Sequence, residues 1–229
     1  MSSLVVLQPS YLPWLGYFEQ MYRCDYFIFY DDVQYDKNGW RNRNRIKSSI
    51  GSQWLTVPVK TAGRHHQAIK DVEIDNSFYW ARKHIASIEH NYANAPYLKK
   101  YLPELEEILF KEWFLLVDLN IAVTQLMCRW LKIDRQIIRS SELGISGDRS
   151  ERLMRFCRHF DVDHYISGDS AKNYLDINLF LSAGIIVEWQ RYKHMQYTQL
   201  HGDFTPYMST LDLVLNVGPA AKNFLISIR

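Results

Sequence analysis

Short apolar runs alternate with longer stretches whose apolar residues recur every three or four positions. Leu4–Leu7 is the first run, and Tyr26–Tyr30 is the second. Between them lie the loop Gln8-Pro9-Ser10-Tyr11-Leu12-Pro13-Trp14-Leu15-Gly16-Tyr17-Phe18 and a short helix-like segment. Further runs predict strands at Trp54–Val59, Val72–Ile74, Gln136–Arg139, His164–Ser167 and Ile185–Gln190. Helical spacing predicts a helix from a cap at Asn76 or Ser77 to about Tyr92, a second over Pro103–Phe110 and a third over Leu115–Leu131. Asp148 with Glu151 resembles a capping box, Asp176–Ala183 reads as a helix stopped by Gly184, and Ser209 with Gly218 brackets a last one. Strands alternating with helices predict an α/β fold with a largely parallel, Rossmann-like sheet and a helical middle section. No linker-like stretch interrupts residues 1–229, so one domain is expected, with 76–131 as a possible helical subdomain.

Whole-chain numbers narrow the class. The 229 residues are 47% hydrophobic and 23% charged, enough for a sizeable core. A net charge of +2 disfavours a dedicated nucleic-acid binder, so any cationic function must come from local clustering. Three cysteines without a CxxC pair argue against a zinc ribbon or a disulfide framework and for a reducing compartment. No run approaches the roughly 20 apolar residues of a membrane span, and no charged leader is evident. A cytoplasmic protein is the expectation.

Candidate chemistry gathers near the first two strands. Parallel strands bring their following loops to one edge, where ligands usually bind. Gln8 ends the first run there, and Asp31-Asp32 end the second. Paired carboxylates in that position suit proton transfer, a ribose or a metal. Arg41, Arg43, Arg45 and Lys47 occupy alternate positions, so an extended backbone points them one way, as a pyrophosphate clamp requires. Trp40, Asn42 and Asn44 accompany them. Tyr11 and Trp14 are candidates for stacking, and Gly16 for close approach of a phosphate to a helix start. Gly168–Tyr174 is a small and polar loop carrying Lys172, a further anion candidate. The tail 194–212 is rich in aromatic and polar residues, among them Tyr197 and Gln199, and reads as a lid. No Walker loop, GxGxxG, GxSxG or zinc-type histidine spacing occurs, so no cofactor and no metal is specified.

These same residues carry a resemblance. The opening Gln8-Pro9-x-Tyr11-Leu12-Pro13-Trp14-x-Gly16-Tyr17-Phe18, then Asp31-Asp32-Val33-Gln34, Trp40-Arg41-Asn42-Arg43-Asn44 and Trp54–Val59, resemble the WbqC-like family. So do Tyr165–Gly168, Tyr174-Leu175-Asp176 and the stretch from Gln199 through Phe204 and Pro206 to Asp212. The likeness covers nearly the whole chain. It implies a role in gene clusters for O-antigen and other surface polysaccharides, and carries over no catalytic residue. A weaker likeness, of fold only, is to the nucleotidyltransferase and class I synthetase superfamily. There a His-x-Gly-His motif stands where this chain has Trp14-Leu15-Gly16-Tyr17, so the usual histidine pair is missing.

Together these readings predict a cytoplasmic transferase that modifies a nucleotide-linked sugar, by acyl or aminoacyl transfer to an amino sugar. Asp31 or Asp32 would be its base or metal anchor. Two alternatives stand beside it: a non-catalytic nucleotide-sugar-binding or scaffold protein of the same pathway, and an RNA-binding protein.

Overall fold

The computed structural model describes residues 1–226; the last three positions of the expected domain lie outside the described residues. The apolar runs become a five-stranded sheet. β1 (Ser3–Leu7), β2 (Tyr26–Phe29), β5 (Ile137–Arg139), β6 (His164–Ser167) and β7 (Ile186–Trp189) pair in the order β5-β2-β1-β6-β7. Every neighbouring pair is parallel, with Leu4 opposite Tyr26 and Tyr165, and Ile28 opposite Ile138. A separate antiparallel hairpin joins β3 (Arg43–Ser48) to β4 (Gly51–Thr56).

Both faces of the sheet are buried, as a parallel sheet requires. Period-two alternation sorts its side chains. Val5, Phe27, Phe29 and Ile166 face a core shared with α1 (Leu15–Arg23), α2 (Trp80–Asn91), α3 (Leu98–Leu109), α4 (Leu116–Leu131) and α7 (Thr210–Val217). Leu4, Val6, Ile28 and Tyr165 face a second core with α5 (Arg149–His159) and α6 (Ile177–Ser182). The helices of the middle section therefore pack into the same apolar cluster as the sheet.

Capping follows local chemistry. Asp148 accepts from the Glu151 amide, Asp176 from Asn178 and Leu179, and Ser209 from Leu211. Four expectations shift. α2 starts at Trp80 rather than after Asn76 or Ser77, because Asp75 Oδ1 takes the Ser77 amide and hydroxyl into a side-chain turn that competes with the helix. α3 starts at Leu98, which puts Pro103 in its second turn instead of its first. Val72–Ile74 makes only isolated bridges, Val59 with Ile74 and Glu73 with Leu115, so it is not a full strand. The strand expected at Trp54–Val59 runs instead over Gly51–Thr56, and Val57 leaves the ladder to exchange hydrogen bonds with Asn42.

Strand order fixes where the molecule opens. From β1 the chain moves outward to β2 and β5, then crosses back to β6 and β7 on the other side. The carboxyl ends of β1 and β6 therefore diverge into a crevice, the usual ligand position of a doubly wound sheet.

Candidate functional site

A cavity of about 540 Å³ occupies that crevice. The volume is in the range of small-molecule sites. Leu7 and Gln8 enter from the end of β1, Gly168–Ser170 from the end of β6, and Gln190–Tyr192 from the end of β7. Trp14, Tyr17 and Gln20 come from the start of α1, and Trp40, Arg41, Asn44 and Arg45 from the hairpin side. Tyr207 closes it from the tail.

Its electrostatics are one-sided. Arg41, Arg45 and Arg191 line it. None of them is within ion-pair distance of a carboxylate among the described residues. The carboxylate in the lining, Asp169, is taken by Lys172 at 2.7 Å. Arg41 donates through one terminal nitrogen to Gln8 Oε1 at 2.5 Å, while its Nε is buried without a partner. Burial holds the Arg41 pKa below the ordinary guanidinium value, with Asp36, Tyr17 and Tyr35 opposing. A shielded cation with no carboxylate in contact is poorly compensated, and a bound anion would relieve that cost.

The loop that carries Gln8 is held rigidly. Asn44 Nδ2 donates to the carbonyls of Tyr11, at 3.2 Å, and Leu12, at 2.8 Å. Leu12 is fully buried at φ 45°, a left-handed conformation unfavourable for leucine, and this double contact pins it. The Pro13 carbonyl accepts from Thr210, and the Arg45 carbonyl from Ser209. Hairpin, loop and α7 are thereby tied at one corner.

Two glutamines make the opposite wall. Gln190 Nε2 donates to Gly16 O and to Glu19 Oε2, both at 2.6 Å. Both partners only accept, so Gln190 must turn its oxygen to Gln20, which donates to it at 2.7 Å. Gln20 Oε1 is then buried and without a partner.

The sequence-predicted site residues divide. Gln8, Trp14, Trp40, Arg41 and Asn44 line the cavity. Tyr11 is fully buried and bonds His84 Nδ1 at 2.9 Å, so it offers no stacking face. Gly16 gives its space to the Trp14 indole, whose ring atoms lie 2.1–2.5 Å from where a Cβ would stand. The tight approach at the helix start is thus made by tryptophan rather than phosphate. Trp14 is further boxed by Tyr192, His194 and Tyr207. Asn42 is spent on the Val57 carbonyl. Arg43 donates to the Asn38 carbonyl and lies 4.4 Å from the Trp54 ring centre. Lys47 is 3% exposed and binds the carbonyls of Gly202 and Asp203, fastening the tail. Lys172 pairs with Asp169 and lies over Trp189. Tyr197 and Gln199 both donate to the buried Asp212, whose carboxyl is raised above its usual pKa by burial.

Asp31 and Asp32 are not among the cavity residues, which corrects the expected convergence of the acids with the arginine row. Asp31 is fully buried and accepts from Arg139 Nε, Ser141 N and Ser141 Oγ at 2.8–3.0 Å. Asp32 is bound by Arg152 and by Ser140 Oγ. Both oxygens of Asp31 are thus engaged by internal donors. Among the described residues no cluster of His, Cys, Asp and Glu could hold a metal ion.

Sequence reading missed Gln20, Gln190, Arg191 and Tyr192. For the last three a signal existed: Gln190 ends a predicted strand and Arg191 and Tyr192 follow it, the same edge rule that singled out Gln8. Gln20 sits inside a helix and carries no such mark.

A largely parallel five-stranded sheet with helices on both faces and a cationic, aromatic-walled cavity at its switch point defines a Rossmann-like α/β protein. The model of the WbqC-like protein family matches residues 8–224, nearly the whole chain. The chain therefore belongs to the WbqC-like protein family. It is 38% identical over 227 residues, 98% of each chain, to an uncharacterized protein of Mycobacterium tuberculosis. No solved structure matches it significantly. No described helix is long and apolar enough to cross a membrane.

Proposed function

We propose that the cavity binds a nucleotide-linked sugar, and that the protein acts on it in the cytoplasm as a transferase of surface polysaccharide assembly. The family resemblance suggests the pathway, and acyl or aminoacyl transfer to an amino sugar is the reaction proposed. The observation that carries the reading is the set of three carboxylate-free guanidinium groups around the switch-point crevice. Arg41 and Arg45 are placed to hold a diphosphate, since a guanidinium meets phosphate oxygens in bidentate fashion. Gln20 and Gln190 are amides suited to sugar hydroxyl or amide groups.

A second reading is supported by a specific feature. The cavity lining contains no cysteine or histidine, and its carboxylate is engaged by Lys172. A binding or carrier protein of the same pathway needs neither base nor nucleophile. RNA binding has less support, because the unpaired arginines line a cavity rather than an extended surface.

A panel of nucleotide sugars tests the proposal by thermal unfolding, since a ligand that binds only the folded state raises Tm. Uridine diphosphate N-acetylglucosamine or a related sugar nucleotide should raise Tm in a concentration-dependent way, and Arg41→Ala with Arg45→Ala should abolish the rise. A flat response to every sugar nucleotide at millimolar concentration would sink the reading.

A further inference from the structure

The arginines facing the cavity leave the outer side of the hairpin unexplained. Trp40 and Trp54 pack together with ring centres 5.3 Å apart and a tilt of 41°. They remain 41% and 42% exposed. Arg43 covers a face of Trp54 at 4.4 Å, and Arg45 lies 5.5 Å from the Trp40 centre and 5.6 Å from the Trp54 centre. Charged side chains are a common guard on an isolated hairpin edge and would account for the arginines alone. They do not account for two large apolar rings left in water beside them.

Continuity decides what the rings are for. Trp40 and Arg45 are also cavity-lining residues, so Trp40 stands at the rim of the same site with Trp54 packed behind it. Arg43 covers Trp54 at 4.4 Å whereas Arg45 stands farther from Trp40, and Trp40 alone of the two lines the cavity, which makes Trp40 the accessible ring and Trp54 its brace. We propose that Trp40 is the docking face for the planar base of the nucleotide, outside the cavity. The diphosphate then crosses Arg45 and Arg41, and the sugar points inward to Gln20 and Gln190. This orientation rests on the nucleotide-sugar reading and adds to it a direction and a base platform. Stacking accepts any base, because every base has a π face. The site thus selects the sugar more strictly than the base.

Calorimetric titration with two probes tests it. Inorganic pyrophosphate reports the anion grip alone, and uridine diphosphate adds the base. Uridine diphosphate should bind the unmodified protein more tightly than pyrophosphate. Trp40→Ala should weaken uridine diphosphate by roughly 5- to 150-fold, the usual worth of a base–aromatic stack, and leave pyrophosphate unchanged. Trp40→Phe keeps a ring and should retain most of the affinity. If uridine diphosphate and pyrophosphate bind alike, or Trp40→Ala weakens both equally, the platform is overturned while the anion site stands. If the unmodified protein binds neither probe, the anion site itself is wrong and the platform falls with it.

Discussion

The acid cluster at the end of β2 and the arginine row beside the cavity both hold charge away from water, in opposite ways. Asp31 is sealed, and three internal donors engage both its oxygens. Arg41 lines a crevice with a shielded Nε and meets no carboxylate. The first arrangement is complete without a ligand and belongs to the fold. The second has no carboxylate in contact, which is the opening that the proposed anion would fill. Burial alone does not separate the two; compensation does.

His84 shows a third solution, which is to stay neutral. Its Nε2 faces the Thr56 carbonyl, so it donates there, and Nδ1 accepts from Tyr11. Burial pushes its pKa down to about 4, against the hydrogen bond to Thr56.

The largest effect should come from breaking the sealed cluster. Asp31→Ala leaves Arg139 Nε and the Ser141 amide and hydroxyl without their acceptor, although Arg139 keeps Asp118, and at about 1–3 kcal/mol for each unsatisfied buried donor it should destabilise the protein by about 3 kcal/mol or more in denaturant unfolding. A loss below about 0.5 kcal/mol would mean that the cluster is not structural and would reopen a chemical role for Asp31.

A smaller effect sharpens the neutral case. An unfolded histidine titrates near 6.5 and the folded His84 near 4. In that window the unfolded chain binds more protons, so stability is full above the upper value and falls as pH drops toward the lower. The whole loss from this group is about 3 kcal/mol, spread over the window. His84→Gln should flatten that part of the stability-against-pH curve. An unchanged slope would assign the acid sensitivity to other groups.

The difference between the regions also explains what was legible in the sequence. The sheet was readable because each parallel strand is a short apolar run, and Asp148, Asp176 and Ser209 announce their helices by local capping. Pro103 misled because proline favours a first turn, whereas the apolar stripe through Tyr101, Leu102 and Leu105 extends α3 one turn earlier. Asp31 and Asp32 looked available because their partners, Ser140, Ser141, Arg139 and Arg152, lie more than a hundred residues away. The alternating basic row is extended strand only from Arg43 to Lys47, and its members part company. Arg41 and Arg45 reach the cavity, Arg43 stacks on Trp54, and Lys47 fastens the tail. Residue type and spacing carry local geometry; pairing across the fold is set by tertiary contacts.

The decisive measurement is a pyrophosphate titration of Arg41→Met by calorimetry, paired with its unfolding free energy. Removing an uncompensated cation should leave stability within about 1 kcal/mol of the unmodified protein, as apolar replacement of buried charge often does. Pyrophosphate affinity should fall by roughly tenfold or more, the worth of a charged hydrogen bond. Unchanged affinity with an intact fold, or collapse of the fold itself, would contradict the assignment of Arg41 to the ligand.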